Sequence, residues 1–438
     1  MPRKRKANPL FAAFRAITPF FWAKLVVIVP ITGFLAWLSF IHAVANITWQ
    51  QNPDMALSYV PDHPLALSRK ADELFAEKQD PATLAKVEAM AKQSLRGGAL
   101  NPVAIRLLGY VADVRGDEKK ARELMLLSHK VSRRDFGTQL WLIEDAVARG
   151  DKKQALYHYD IAMRTTPSGH AILFPTLIGA LSDPEVRAVL APHIKAAPQW
   201  LPAFLGEAIS TIENPANLAD VLVKAGGLPD RDDYRSYSNS LLAQLAAKNR
   251  FPAFRQYYLS LRGASAATFA LAAFNKNTVN LRYPVGGWQI TENPAFGGTF
   301  SPAGKDGRHS LSAFAGTGER GELMRTYVFL KPGNYRFVAR HSSQEAAADA
   351  ELKWELQCMS AAGNVAKWVV AGPVRQGSYA AEQDFSIGTE CPNQLLMLQV
   401  AGGSGQLGAE FTIRSVEITR RGASKNSSLA GSASGQAL

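Results

Sequence analysis

The sequence predicts a multidomain α plus β protein with an N-terminal transmembrane helix, an α-solenoid of helix pairs and a C-terminal β-sandwich of jelly-roll type. Three observations predict this order. An uncharged apolar run occupies residues 25–49, a 34-residue period marks the helical region, and short alternating stretches cut by Gly, Pro and Asn follow from about residue 280. At 438 residues the chain is also too long for a single core.

The net charge of +12 is concentrated at the two ends of the chain. Residues 1–24 contain six basic side chains, and the first acid of the chain is Asp54. Residues 421–438 add two more basic residues and no acid, and their low complexity predicts a disordered tail. A nucleic-acid-binding protein would carry its basic residues on a folded face together with stacking aromatics. We therefore expect no nucleic-acid partner.

Residues 25–49 carry no formal charge and are long enough to cross a bilayer as a helix. Basic residues lie before this run and acids only after it, which predicts a cytoplasmic N-terminus (residues 1–24) and a periplasmic bulk. Residues 42–45 also fit the small-x-small pattern of a cleavable signal, but the apolar run and the basic leader exceed the usual signal lengths. We expect a retained single-pass anchor in a bacterial inner membrane, followed by a linker over residues 50–66.

The only two cysteines are Cys358 and Cys391, and both fall in the C-terminal domain. In an oxidising compartment an isolated pair usually forms a disulfide, which would stabilise the domain by roughly 3–4 kcal/mol in the chain-entropy model. The alternative is two buried free thiols.

Helical patterning extends over residues 67–275, and part of it repeats after 34 residues. Residues 108–121 and 142–155 agree at seven of fourteen positions. Gly116 and Gly150 are expected to end helices, and the aspartate after each glycine is expected to cap the next helix. Further helix starts are predicted where a capping residue precedes a proline, at Asp183-Pro184 and Asn214-Pro215. Three later prolines fall 31 residues apart, at Pro167, Pro198 and Pro229.

The 34-residue unit resembles the tetratricopeptide repeat. In the first copy the resemblance depends on Leu108, Gly109, Gly116, Asp117 and Ala121, and in the second on Leu142, Ala146, Gly150, Asp151, Ala155, Tyr159, Ala162 and Pro167. The second copy departs from the pattern at Ile143, where the first copy has Gly109. The resemblance implies stacked helix pairs that bind a protein partner.

Residues 280–420 contain eight or nine short alternating stretches, which predict a β-sandwich. The layout begins on GWQI (287–290) and closes on EFTIRSVEIT (410–419). It is similar to that of the small carbohydrate-binding-type modules of secreted proteins. This resemblance is one of pattern and brings no binding motif, and it implies polysaccharide as a candidate partner.

One strand offers a candidate glycan contact. In residues 323–330, Arg325, Tyr327 and Phe329 share one face, and the alternate residues share the other. The first face could stack a sugar ring on its aromatics beside a polar group. Alternatively both faces are packed, because strands that are apolar on both faces are usually buried on both.

No motif for catalysis, cofactor binding or metal binding is found. The eight histidines show no metal-ligand spacing, and the GxGxxG of residues 316–321 precedes a strand, whereas the dinucleotide-binding motif would open a helix. Tyr157 and His158 are interpreted as helix packing. We therefore expect no enzyme and no cofactor, although two carboxylates that meet only in the folded structure would escape this search.

These features together favour a membrane-anchored periplasmic scaffold that is an accessory of envelope polysaccharide synthesis, export or assembly. This step rests on analogy. Two alternatives remain. One is an adaptor in the maturation of exported proteins, similar to the anchored repeat subunits of cytochrome c assembly. The other is an exported glycan hydrolase or lyase.

Overall fold

The structure is a computed structural model that describes residues 19–269, 273–279, 282–344, 349–360, 363–404 and 408–421. The chain divides into two compact units, Met1–His170 and Ala171–Leu438. Of the predicted terminal tails, residues 1–18 and 422–438 lie outside the described residues. The division assigns the helices of the predicted 67–275 solenoid to two groups, which are described separately.

The described part of the first unit is helical. Its helices are α1 (Pro19–Thr48), α2 (Pro53–Tyr59), α3 (Pro64–Glu77), α4 (Pro81–Gly97), α5 (Pro102–Val114), α6 (Glu118–Val131), α7 (Phe136–Ala148) and α8 (Lys152–Thr165). Helices α2 to α5 each begin at a proline. Proline suits this position because the backbone N–H groups of the first turn have no partner within the helix, and proline has no N–H. The preceding side chain caps each of them: Asn52, His63, Asp80 and Asn101.

The 34-residue period coincides with the helix pairs α5/α6 and α7/α8. Gly116 and Gly150 lie between the two helices of each pair with φ of 81° and 71°, a conformation that glycine adopts without strain. Asp117 and Asp151 accept a hydrogen bond from the amide three residues further on, at 3.1 and 3.0 Å. The repeated residues therefore end one helix and begin the next, as the sequence predicts.

The predicted linker over residues 50–66 is not irregular, since it contains α2 and the start of α3. Helix α2 folds back onto the end of α1, and Ala45, Ala56, Val60 and Ala66 form a small buried cluster. The prolines in this stretch open helices, so they are signals of helix starts and not of an extended linker.

The second unit begins with further helices. These are α9 (His170–Ala180, which starts at the boundary), α10 (Pro184–Lys195), α11 (Leu201–Thr211), α12 (Pro215–Lys224), α13 (Asp232–Ala247) and α14 (Phe251–Ser260). Asp183 and Asn214 cap α10 and α12 as predicted. Helices α9, α11 and α13 start at residues 170, 201 and 232, which are 31 residues apart like the three prolines.

The rest of the second unit is a sandwich of two antiparallel sheets. Its strands are β1 (Gln289–Ile290), β2 (Phe296–Phe300), β3 (Leu311–Ala315), β4 (Arg320–Val328), β5 (Gly333–Ser343), β6 (Glu351–Ser360), β7 (Gly363–Pro373), β8 (Gly377–Ile387), β9 (Gln394–Ala401) and β10 (Ala409–Arg420). The first sheet has the order β1-β4-β9-β6-β7, and the second has the order β2-β3-β10-β5-β8.

Aromatic side chains fill the space between the two sheets. Trp354 and Phe337 are fully buried, and their ring centroids are 5.3 Å apart. The indole Nε1–H of Trp354 donates to His341 Nε2 at 3.0 Å. A disulfide joins Cys358 of β6 to Cys391, and the two Cα atoms are 5.4 Å apart.

Candidate functional site

Arg325, Tyr327 and Phe329, the candidate glycan contact, lie on the outer side of the first sheet beneath α14. Tyr327 is only 7% exposed. Its ring centroid is 5.5 Å from those of both Phe251 and Phe254 in α14. Burial raises the pKa of the Tyr327 hydroxyl above its usual value.

The residues beside Tyr327 on this face are buried as well. Leu395 and Met397 of β9 pair with Tyr327 and Arg325, and each is about 5% exposed. Phe329 contacts Phe269, with ring centroids 4.8 Å apart. The structure therefore does not bring the three candidate residues together on an open surface. The physical reason is that α14 must bury its own aromatic row, and it does so against this sheet.

The other chemical candidates also have structural partners. His158 is buried, and its Nδ1 lies 3.0 Å from Gln139 Oε1, while Gln139 Nε2 lies 3.1 Å from His129 Nδ1. Burial and the nearby His129 lower the pKa of His158 to about 4, so the ring is neutral near pH 7. The GxGxxG stretch forms the turn between β3 and β4. Among the described residues, no group of three or more His, Cys, Asp or Glu side chains is arranged to hold a metal ion.

The outer face of the second sheet contains an exposed aromatic side chain, Phe314. In β3, Leu311, Ala313 and Ala315 point inward and are buried. Ser312 and Phe314 therefore point outward, and Phe314 is 41% exposed. The alternation was visible in the sequence, where this phenylalanine falls in phase with serine, but it was not used to nominate a site.

A glycine makes room for the Phe314 ring. Gly297 of β2 pairs with Phe314, and a Cβ placed on this glycine would lie 3.2 Å from the ring. Any larger residue at this position would push the ring away from the sheet. On the opposite side of β3, Phe314 pairs with Glu410 of β10. The ring thus lies over a strand backbone beside a carboxylate.

Polar side chains continue this face along β10. Thr412 pairs with Ser312 on one side and with Ser342 of β5 on the other. A β-bulge follows between Ile413 and Ser415. Arg414 lies within it, and its Nε donates to Ser342 Oγ at 3.0 Å. The distance along β10 from Glu410 to Arg414 is about 13 Å at the usual rise per strand residue.

A cavity of about 280 Å³ adjoins this row where β10 extends beyond β3. Pairing with β3 ends at Ile413, and residues 273–275 and 308–309 line the cavity on that side. Arg308 Nη1 donates to Glu417 Oε1 at 2.8 Å across it. Asn275 and Thr419 add further hydrogen-bonding groups. We call Phe314, Glu410, Thr412, Arg414 and this cavity the outer-sheet surface.

Further along the same sheet the charges are paired. The Arg336 guanidinium donates to Asp384 at 2.9 and 3.2 Å. These hydrogen bonds hold the pKa of the Asp384 carboxyl below its usual value. Arg340 is exposed on the same face, between this pair and the bulge. The outer-sheet surface therefore combines one aromatic ring, several hydroxyls and fixed charges.

Comparisons with known proteins concern the sandwich. No protein-family profile and no curated protein sequence matches the chain. Among solved structures, the C-terminal β region is similar to a carbohydrate-binding module, TmCBM61, solved in complex with beta-1,4-galactotriose. That match has 14% identity, covers 31% of this chain and 90% of that one, and has a TM-score of 0.23.

Two xylan-binding domains of carbohydrate-binding module family 22 are similar to the same region. The CBM22-1 domain from Paenibacillus barcinonensis Xyn10C has 13% identity, with coverage of 34% of this chain and 92% of that one and a TM-score of 0.25. The second has 14% identity, coverage of 31% and 88%, and a TM-score of 0.23. Matches with scores this low say nothing about a ligand of this chain.

Proposed function

We propose that the protein is a glycan-binding scaffold tethered to the inner membrane of a bacterial cell envelope. In this proposal α1 is the tether, the helix pairs of the first unit bind a protein, and the outer-sheet surface binds a polysaccharide. Its place would be as an accessory of envelope polysaccharide synthesis, export or assembly.

The proposal that the protein binds a glycan depends on a contrast between the two outer faces of the sandwich. The face at Tyr327 is closed by α14, whereas Phe314 is exposed, with Glu410 paired beside it and Ser312 in phase with it on β3. Sugar rings have apolar C–H faces and polar edges. They therefore suit an aromatic platform with hydroxyl and charged groups beside it. Because Gly297 lets the Phe314 ring lie close to the sheet, the platform is already formed without ligand.

Affinity electrophoresis tests this role. The full chain in mild detergent would be run through gels that contain hydroxyethylcellulose or alginate, one neutral and one acidic polysaccharide. We expect retardation in at least one gel, and Phe314→Ala should abolish it. The matched control is Val369→Ala, since Val369 is 43% exposed on the edge strand β7. Equal retardation of both variants, or none for the parent protein in either gel, would contradict the proposal.

The length and composition of α1 support tethering. Lys24–Thr48 is long and apolar enough to cross a membrane, with a mean hydropathy of 2.1, although a signal sequence at this position would pass the same test. Retention is supported by Ala45, which is fully buried against α2 and α3 and would be the last residue removed if residues 42–45 were a signal cleavage site. A phosphatase fused after residue 60 should be active. N-terminal sequencing that began near Asn46 would show instead that α1 had been removed.

Aromatic residues on α3, α5 and α7, the first helices of the pairs α3/α4, α5/α6 and α7/α8, support a protein-binding role. Phe75 of α3 stacks on Tyr110 of α5, with ring centroids 5.0 Å apart. The Tyr110 hydroxyl donates to the carbonyl of Gly137 at 3.2 Å, and Trp141 Nε1 donates to Asp113 at 3.0 Å. These half-buried aromatics are held in place across α3, α5 and α7, so a partner would meet an ordered surface.

Photo-crosslinking in membranes tests this second role. A photoreactive phenylalanine analogue at Trp141 should capture one protein, and the same analogue at exposed Lys119 should not. The identity of the captured protein would separate an envelope polysaccharide machine from an adaptor in protein maturation.

We propose no catalytic role. The cavity beside β10 has one carboxylate in its lining, that of Glu417, and a second cavity of about 300 Å³ in the first unit has one, that of Asp72. Neither lining offers the two facing carboxylates that glycoside hydrolysis normally uses.

A further inference from the structure

The end of α1 is a structural part of the first unit. Ile41 packs against the cluster that contains Ala45 and Val60. His63 Nε2 lies 3.1 Å from Asn46 Oδ1, which fixes the start of α3 beside α1. The apolar run that is free to enter a bilayer therefore ends near residue 40. Residues 25–40 carry no charge and would span about 24 Å, and the apolar residues 20–23 before Lys24 extend the helix to about 31 Å, close to the thickness of the hydrocarbon core.

Helix α2 runs back toward the bilayer side of α1, and α3 runs away from it. The chain reverses after Thr48, and Val60 at the end of α2 belongs to the cluster against which Ile41 packs. Helix α3 begins beside Asn46, and further along it Ser68 and Asp72 line a cavity with Trp49. The first residues of α3 are therefore on the bilayer side of the unit.

The next two inter-pair loops lie at the same end. The α4–α5 loop packs on Pro64: Ser94 Oγ donates to the Pro64 carbonyl at 2.7 Å, and a Cβ on Gly97 would lie 2.8 Å from the proline ring. The end of α6 lies beside the start of α5, since Ser128 Oγ donates to the Pro102 carbonyl at 2.9 Å. We call residues 59–65, 96–101 and 130–135 the anchor-side end.

Apolar side chains are exposed at the tips of this end. Leu100 is 81% exposed, a high value for leucine, and Tyr59 and Leu65 are each 38% exposed. A single exposed leucine needs no explanation in a soluble protein. Here two leucines and a tyrosine lie at the end from which an apolar helix emerges.

The cations of the anchor-side end are unneutralised. Arg96, Lys130, Arg133 and Arg134 are exposed, and none forms an ion pair in the part of the chain that is described. Two acids lie in these loops. Asp62 is exposed, and Asp135 is paired with Arg106 at 2.8 Å. The surface is therefore basic.

At the opposite end of the helix pairs, Arg115 contacts Glu88 at 2.6 Å and Lys78 contacts Asp80 at 3.1 Å, whereas Lys119 and Lys120 are exposed and Val147 is 62% exposed. The anchor-side end differs in that its exposed cations and apolar tips lie together where α1 leaves the unit. Anionic lipid headgroups over a hydrocarbon layer have the complementary chemistry.

We infer that the anchor-side end lies against the anionic headgroups of the bilayer that α1 enters, with Leu100 inserted and Arg133 and Arg134 at the lipid phosphates. This inference rests on the proposed retention of α1. It makes α1 a rigid mount that fixes the orientation of the first unit on the membrane.

Fluorescence of a single labelled cysteine tests the contact. The full chain would be reconstituted in vesicles of phosphatidylethanolamine and phosphatidylglycerol, with an environment-sensitive dye on Leu100→Cys. The native cysteines form a disulfide and would not react. We expect a blue shift and quenching by nitroxide lipids. The matched control is Val147→Cys, 62% exposed near the opposite end, which should show neither.

The charge dependence identifies the lipid chemistry. Arg133→Glu combined with Arg134→Glu should remove most of the blue shift and quenching at Leu100→Cys. Lys119→Glu combined with Lys120→Glu, at the opposite end, should leave them unchanged. Quenching that survives both the Arg133/Arg134 reversal and replacement of phosphatidylglycerol by phosphatidylcholine would refute headgroup recognition.

Other outcomes separate this inference from the tether itself. Protein that floats with the vesicles but has a solvated label at Leu100 would refute the inference and leave the tether intact. Protein that does not float would refute the tether. Protection of Leu100 that needs other membrane proteins, and does not occur with pure lipid, would assign the surface to a protein and overturn the proposal.

Discussion

Alanine substitutions at Tyr327 and at Phe314, made separately, should affect different properties: the first the stability of the sandwich, the second the binding of polysaccharide. Tyr327 is 7% exposed and contacts the rings of α14, whereas Phe314 is 41% exposed on the opposite outer face. If the faces are closed and open as described, Tyr327→Ala should lower stability and preserve binding. Phe314→Ala should have the reverse effect.

The magnitudes follow from the buried areas. An aromatic side chain buries about 150–250 Å². At about 25 cal/mol per Å² this burial corresponds to roughly 4–6 kcal/mol. Truncations of buried aromatics to alanine cost about 3–5 kcal/mol, and we expect a loss in that range for Tyr327→Ala. For a unit of this size the midpoint should fall by roughly 10 °C. Phe314→Ala should cost about 1 kcal/mol, because much of its ring is already in water and no closed cavity results.

Two measurements on the same full-length variants decide the question. Thermal unfolding in detergent, followed by tryptophan fluorescence, reports stability because Trp354 is buried in the sandwich core. Affinity electrophoresis well below both transitions reports binding. A Tyr327→Ala protein with an unchanged transition but lost retardation would refute the reasoning. It would mean that α14 leaves the first sheet in solution and that the binding face is the one at β4.

Three further outcomes are expected. Ala121→Leu should destabilise the first unit by roughly 1–3 kcal/mol in thermal melts through overpacking, since Ala121 is fully buried, and Lys119→Leu, at an exposed position in the same turn of α6, should not. A thiol assay on unfolded, unreduced protein should find no reactive cysteine, and two reactive thiols would reject the disulfide. Burial lowers the pKa of His341 to about 4, below its unfolded value near 6.5. The unfolded chain therefore binds the proton at a higher pH than the folded chain does. As the pH falls from 6.5 to 4, the free energy of unfolding of the sandwich should fall by roughly 3 kcal/mol. His341→Phe should remove this loss in melts recorded over the same pH range.

Helix boundaries were predictable where they depend on single residues. Gly116 and Gly150 adopt positive φ, and Asp117 and Asp151 cap the next helix, because these properties belong to the residue and its neighbours. The same reasoning failed over residues 50–66. There prolines were interpreted as linker signals, but they open α2 and α3, and only the packing of α2 on α1 shows this.

The candidate site was harder to predict because the covering element is distant in sequence. Phe251 and Phe254 lie more than 70 residues before Tyr327, and neither segment indicates by its own pattern that the two will meet. Strand alternation correctly placed Arg325, Tyr327 and Phe329 on one face. It could not say whether a helix would cover that face.

Whether an aromatic residue lies on an open surface is indicated by the residues that share its face of the strand. Tyr327 has an aromatic in phase two residues later, and a helix with its own aromatic row can bury both together. Phe314 has serines in phase with it and a glycine beside it on the next strand. Covering Phe314 would also bury those hydroxyls and the adjacent Glu410 carboxylate without partners, which is unfavourable. A lone aromatic in a polar phase is therefore stable only when it faces water or a ligand that can itself hydrogen-bond. The proposed glycan contact is therefore on β3 and not on β4.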